Sequence, residues 1–175
     1  MNLISLFSGA GGLDLGFEKA GFHTVLANEY DKNICPTFRA NFPNTQLIEG
    51  DIRKLDTSIL PTNITGIIGG PPCQSWSTGG SKRGLNDKRG QLFWDYIRIL
   101  NAKNPKFFVA ENVKGLLSIE GGKVFKMIKS DFENLKDNEG NVIGYKVDAC
   151  ILNAAEYGVP QARERVVIIG NRIIY

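Results

Sequence analysis

Two rhythms of apolar residues alternate along the chain. Leu3, Ile4, Leu6 and Phe7 form a short continuous run that stops at Ser8-Gly9-Ala10-Gly11-Gly12. Leu13, Leu15, Gly16, Phe17 and Ala20 then recur at helical spacing as far as Gly21. This pattern predicts a strand, a glycine turn and a helix. Residues 24–28 predict a second strand ending in Glu29, after which Asp31 is placed to cap a helix through Phe38. A third strand, 46–49, ends near Asp51, and a fourth, 64–68, enters Gly69-Gly70-Pro71-Pro72-Cys73. From Gln74 to Gly90 no apolar period is visible, and a loop that long inside a compact domain is usually functional or mobile. Leu92, Phe93, Tyr96, Ile97 and Leu100 give a helix face, and 107–110 a fifth strand that ends at Glu111. Val124, Phe125, Ile128, Phe132 and Leu135 mark another helix before strands at 145–152 and 166–169.

Continuous apolar strands alternating with amphipathic helices are what a mostly parallel sheet covered on both faces requires. The expected fold is therefore α/β, a doubly wound, mostly parallel sheet. No repeat, low-complexity tract or linker interrupts residues 1–175, so a single domain is expected. At 42% apolar and 22% charged residues, the composition excludes disorder. No stretch approaches the roughly 18 consecutive apolar residues of a membrane span, and MNLISLF lacks a basic flank, so a soluble cytoplasmic protein is expected. Three cysteines at wide spacings and one histidine argue against a disulfide scaffold and against a zinc site. Cys35 and Cys150 read as small buried hydrophobes. A net charge of +3 does not by itself indicate a polyanionic partner. The cluster of Lys82, Arg83, Lys88 and Arg89 reads either as a solvated loop or as a phosphate-contacting surface.

In such sheets ligands bind outside the carboxyl ends of the strands, where the winding direction reverses. Ser8–Gly12, Glu29, Asp51, Cys73 and Glu111 all fall at predicted strand ends. Gly9-Ala10-Gly11-Gly12 lets backbone approach a ligand closely. A dinucleotide fingerprint would need glycine at position 14, where the chain has Asp14, which disfavours NAD. Glu29 is placed to accept from two ribose hydroxyls, so a nucleoside with a small anionic tail fits better. Pro71 and Pro72 fix their own φ angles and set the direction of Cys73 in advance, as suits a nucleophile, although the base that would activate it is not evident. His23 lies toward the opposite end of the sheet, which disfavours a cysteine–histidine hydrolase. Glu111, directly after four apolar residues, is partly desolvated, which favours its neutral, proton-donating form; a solvated strand end is the plainer alternative.

The stretches LISLFSGAGGLDLGFEKAGF (3–22), GGPPCQSWS (69–77), ENVKG (111–115) and QARERVVIIG (161–170) resemble the cytosine-5 DNA methyltransferases in content and order. Bacterial restriction-modification enzymes are the most similar, and the surroundings of GGPPCQSWSTGG resemble members that methylate GGCC. The resemblance implies a Rossmann-like domain that takes a methyl group from S-adenosylmethionine. It implies that Cys73 adds to carbon 6 of cytosine, that Glu111 sits against N3, and that Arg165 bonds the base carbonyl oxygen while Arg163 organises the pocket. It assigns Phe7 to the adenine face, Gly9, Gly11 and Gly12 to the methionine part and Glu29 to the ribose. Asp51 and Ile52 fall at the adenine edge, and Pro72 and Leu92 line the pocket. Tyr30 stands where members often have tryptophan and keeps an aromatic face. Double-stranded DNA is the implied partner, its target base turned out of the stack. Gln74, Ser75, Ser77, Lys82, Arg83, Lys88, Arg89 and Asn112 are the expected contacts to it. Family members continue with a sequence-reading segment, so these residues are expected to be a catalytic part needing a complementing chain, with weak cofactor binding alone. Two other readings stay open: an inactive nucleotide-binding module that serves as a partner, and methylation of RNA.

Overall fold

The computed structural model describes residues 1–72, 91–137 and 139–172. Seven strands form one sheet: β1 (Asn2–Leu6), β2 (His23–Glu29), β3 (Gln46–Glu49), β4 (Gly66–Gly69), β5 (Phe107–Val113), β6 (Tyr145–Asn153) and β7 (Glu164–Arg172). Their order is β3-β2-β1-β4-β5-β7-β6. The first five are parallel to one another, and β7 runs antiparallel between β5 and β6. The chain winds outward from β1 through β2 to β3 and then crosses back to β4. The crevice at the strands' carboxyl ends therefore opens between β1 and β4.

Helices α1 (Gly12–Lys19) and α2 (Cys35–Asn41) pack on one face, and α3 (Gln91–Lys103) and α4 (Lys123–Glu133) on the other. Successive side chains of a strand point to opposite faces, so a strand covered on both sides must be apolar at consecutive positions. Leu3 and Ile4 are both fully buried for this reason, as are Ile67 and Ile68. On the α3–α4 side one core gathers Leu6, Leu26, Ile67 and Phe108 of the sheet against Tyr96, Ile128 and Phe132. On the α1 side Leu3, Ile68 and Val109 lie beneath Leu13 and Phe17. Tyr96, wholly buried, donates from its hydroxyl towards the carbonyls of Ile67 (3.2 Å) and Val109 (3.0 Å) and so fastens β4 to β5. Burial pushes that hydroxyl well above the usual tyrosine range, so it remains a donor.

Three details differ from the sequence pattern. β5 continues past Ala110 to Val113, because β7 pairs with it along that length, Glu111 opposite Val167 and Val113 opposite Arg165. Glu111 thus lies inside a strand, although it is beyond the last β4–β5 pair, Gly69 with Ala110. Asp31 closes a turn ahead of the helix: its side chain accepts from the Asn33 amide at 2.9 Å and its carbonyl from Ile34 and Cys35. The helix itself begins at Cys35, with Pro36 in the first turn where a missing N–H costs nothing. Cys35 is buried as expected, whereas Cys150 is exposed. It lies on β6 at the sheet edge, and among the described residues no helix covers that face of the strand.

Candidate active site

Phe7 leaves β1 with φ of 55°, in the left-handed region that costs a residue with a side chain about 1–3 kcal/mol. That turn swings the ring to the strand end and starts the loop 8–11, held by Ser8 N on the Asn28 carbonyl (3.2 Å) and Gly11 N on the Ser8 carbonyl (3.0 Å). Glu29, ending β2, accepts from the backbone amides of Gly9 (2.7 Å) and Asp31 (2.8 Å). Asn28 donates to the carbonyls of Ile48 (3.0 Å) and Gly50 (3.1 Å), carrying the end of β3 beside β2. Asp51 then caps a short 3-10 turn, Ile52–Lys54. The guanidinium of Arg53, hydrogen-bonded to the Asp51 carboxylate, holds it below the usual carboxylate range.

These elements enclose a cavity of about 320 Å³. All seven side chains that the sequence assigned to a cofactor line it: Phe7, Glu29, Tyr30, Asp51, Ile52, Pro72 and Leu92. Asn28, Arg53 and Gly70 complete the wall. The glycines divide. Gly12 lines the neighbouring cavity and the Gly9 amide is held by Glu29. At Gly11 an added Cβ would stand 2.0 Å from Cε2 of Phe42, so the ring of Phe42 packs directly against its backbone. Its φ of 91° requires glycine in any case.

The second cavity, about 460 Å³, shares Phe7 and Gly70 with the first and extends to Glu111 and Arg163. The Glu111 side chain is 31% exposed, and its Oε1 lies 3.0 Å from Nε of Arg165. Gly70 leaves room for that carboxyl: a Cβ there would be 3.2 Å from Glu111 Oε2. Arg163 precedes β7 rather than lying in it, placed by its amide on Asn153 Oδ1 (3.1 Å). Asn112 differs from its expected place on DNA. It is buried, and its Nδ2 donates to the Pro71 carbonyl at 2.8 Å, so it fixes the Pro-Pro turn. Cys73, Gln74, Ser75, Ser77, Lys82, Arg83, Lys88 and Arg89 lie outside the described residues.

Sequence reasoning missed Asn28, Arg53 and Gly70. Arg53 is the one with a local signal, a cation two positions after an acid at a strand end. The donors and acceptors suit a nucleoside: a ring to stack on, and separate carboxylates for vicinal hydroxyls and for an exocyclic amine. A pyrophosphate would meet those same carboxylates and be repelled. Asp14, fully buried, fills the third glycine position of a dinucleotide fingerprint and accepts from Ser5 Oγ and Thr24 Oγ1, both at 3.0 Å. Among the described residues no group of His, Cys, Asp and Glu could hold a metal ion, and no helix is long and apolar enough to cross a membrane.

A reversing parallel sheet with an antiparallel β7, and a nucleoside-sized cavity at its carboxyl ends, define a Rossmann-like domain of the S-adenosylmethionine-dependent methyltransferase class. The family model for the C-5 cytosine-specific DNA methylases matches residues 1–173, and the chain belongs to that family. Over 98% of its length it is 56% identical to the type II methyltransferase M.NgoPII of Neisseria gonorrhoeae and 55% identical to M.FnuDI of Fusobacterium nucleatum. It covers 48% and 47% of those two proteins, so the chain spans about half the length of these curated relatives. Against M.AquIA of Picosynechococcus, 46% identical, it covers 72%. Among solved structures, an E. coli prophage-encoded protein superposes with a TM-score of 0.78 at 33% identity, over 98% of this chain and 47% of that one. Spodoptera frugiperda DNMT2 superposes with a TM-score of 0.74 at 26% identity, over 98% of this chain and 50% of that one.

Proposed function

We propose that these residues form the cofactor-binding and catalytic part of an enzyme that methylates carbon 5 of cytosine in double-stranded DNA, acting in the cytoplasm, with S-adenosylmethionine as donor. One observation carries the reading: a nucleoside-sized cavity and a second cavity bearing Glu111 and Arg163 adjoin at Phe7 and Gly70, beside the Pro-Pro turn that leads to Cys73. Phe7 stacks on the purine, Glu29 accepts from the ribose hydroxyls, and Asp51 and Ile52 meet the adenine edge.

Bound there, S-adenosylmethionine supplies an electrophilic methyl group on a sulfonium sulfur. The Cys73 thiolate adds to carbon 6 of the cytosine, which gives carbon 5 the character of an enamine. Glu111 holds a proton at N3, where negative charge would otherwise build up, and Arg165 donates to the carbonyl oxygen of the same ring. Stabilisation aimed at developing charge is worth about 2.7–4 kcal/mol per donor in comparable sites. The donor, held by Phe7, Glu29, Asp51 and Ile52, would supply its methyl group to that carbon and leave as the thioether; the carbon 5 proton would pass to water as Cys73 departs, restoring the aromatic ring. Arg163 shapes the base pocket, and Asn112 positions the turn before the nucleophile. Lys82, Arg83, Lys88 and Arg89 contact phosphates. Reading of the target, with GGCC as the first sequence to examine, and completion of the cofactor pocket fall to polypeptide matching the half of the relatives that lies outside this alignment.

The test is a duplex containing 5-fluorocytosine, incubated with cofactor and such a complementing polypeptide and followed by mass spectrometry. Fluorine cannot leave carbon 5 as a proton does, so the adduct persists. The wild-type chain is expected to gain the mass of the methylated strand, on the peptide that contains Cys73, and Cys73→Ala to gain nothing. An adduct that survives that substitution, or none in a wild-type protein shown to bind cofactor, overturns the reading.

A further inference from the structure

Asp51 has more cation beside it than its backbone turn requires. Its Oδ1 already accepts the Arg53 amide at 3.0 Å, which is enough to cap the turn. Arg53 then folds back over the same carboxylate, with Nε 2.9 Å from Oδ1 and 2.8 Å from Oδ2, and Nη2 also on Oδ2. Both side chains line the 320 Å³ cavity, and they differ in depth, Arg53 being 44% exposed and Asp51 only 15%. The backbone beneath them is anchored from two sides. Arg98 of α3 donates to the carbonyls of Ile52 (2.7 Å) and Leu55 (3.1 Å), and Asn28 holds the carbonyl of Gly50. An exposed ion pair between near neighbours contributes little to stability. Placed on anchored backbone at the wall of a ligand cavity, it serves to orient a carboxylate.

We propose that Arg53 is a positioning residue that aims the Asp51 carboxylate, so that the pocket accepts a purine carrying a 6-amino group and rejects the 6-oxo ring. The inference rests on the cofactor reading above. A carboxylate can only accept hydrogen bonds, and each oxygen offers two lone pairs. Together with the Arg53 backbone amide, the planar guanidinium fork places three N–H donors on the four lone-pair sites and fixes the plane of the group, leaving one site to the cavity. An exocyclic amine donates into it; a 6-oxo group brings its own lone pairs to the same place. Without Arg53 the carboxylate can turn away, and discrimination falls. Stacking on Phe7 and the ribose contact at Glu29 do not read that position and remain.

Calorimetric titration of the wild-type, Arg53→Ala and Arg53→Lys chains, each joined by the complementing polypeptide, with S-adenosylhomocysteine and S-inosylhomocysteine tests this, with thermal unfolding to verify the fold. Wild type is expected to prefer the amino ligand by about tenfold or more, the scale of a hydrogen bond to a charged group. Arg53→Ala is expected to weaken the amino ligand by about tenfold and to leave the 6-oxo ligand within about twofold, with Arg53→Lys between the two. Equal weakening of both ligands would assign Arg53 a general supporting role and overturn the proposal, as would an unchanged preference. If wild type and Glu29→Ala alike bind neither ligand, the cofactor reading itself fails and takes the proposal with it.

Discussion

The Asp14 carboxylate is enclosed completely, and the hydroxyl groups of Ser5 and Thr24, on β1 and β2, donate to it. It ties the first turn of α1 to the two strands whose ends carry Phe7 and Glu29. Burial pushes this carboxyl above the usual range, outweighing the two hydroxyl donors that pull it down. The folded state thus binds the Asp14 proton more tightly than the unfolded chain does. The stability this confers is complete below about pH 3.9, the unfolded value, and is lost as pH rises through the higher folded value. Asp14→Asn keeps the shape and an acceptor but cannot ionise. Denaturant midpoints measured from pH 4 to 8 are expected to show wild type losing ground to this variant as pH rises, with no further change once Asp14 is ionised; a difference independent of pH would contradict this. Asp14→Ala, which leaves both hydroxyls without an acceptor, is expected to cost about 1–3 kcal/mol. That position 14 is not a glycine was plain from the sequence, and so was its consequence for dinucleotides. The role of Gly11 was not, because Phe42, whose ring fills the space a side chain would need, is far away in sequence and meets it only after folding.

Element boundaries followed the apolar rhythm wherever an element is set by its own period, as in β3, which spans Gln46–Glu49 as expected. They departed from it where a neighbour decides. β5 is lengthened by β7, and nothing in a run of apolar residues says that its partner will be antiparallel. That extension carries Asn112 inward, with its amide on the Pro71 carbonyl, and joins β5 to the turn that follows β4. The sequence motif marked Asn112; the pairing adds that its side chain holds the carbonyl of Pro71. Asn112→Ala removes a buried hydrogen bond, a loss of about 1–2 kcal/mol, and frees the Pro-Pro turn. Asn112 meets the nucleoside cavity only through Pro72, one of several wall residues, so cofactor affinity is expected to fall by about twofold to threefold, while kcat for methyl transfer, measured with the complementing polypeptide, falls by about tenfold or more. Equal losses in affinity and kcat would instead mark a general collapse of the region.

At the scale of the molecule the two faces of the sheet do different work. The strand ends hold the cavities, while stability comes largely from the continuous core under α3 and α4. Doubly wound topology and the placing of the crevice could be read from the sequence, since both follow from which residues alternate and which stand at the strand ends. Cavity walls such as Gly70 and Asn28 could not, because they depend on how strands are arranged in space. Phe132 of α4 is fully buried, with its ring centroid 4.3 Å from that of Phe108 and 5.3 Å from that of Phe93, and it lines neither cavity. Phe132→Ala is expected to lower the unfolding free energy by about 3–5 kcal/mol. A ligand that binds only the folded chain adds about 2.7 kcal/mol at one hundred times its Kd, whatever the starting stability. S-adenosylhomocysteine should therefore stabilise wild type and Phe132→Ala by the same amount at the same saturation, as read from urea unfolding with and without ligand. A smaller increment in the variant would mean that the core beneath α4 and the pocket at the strand ends are coupled, and that the sheet transmits packing to the site instead of only carrying it.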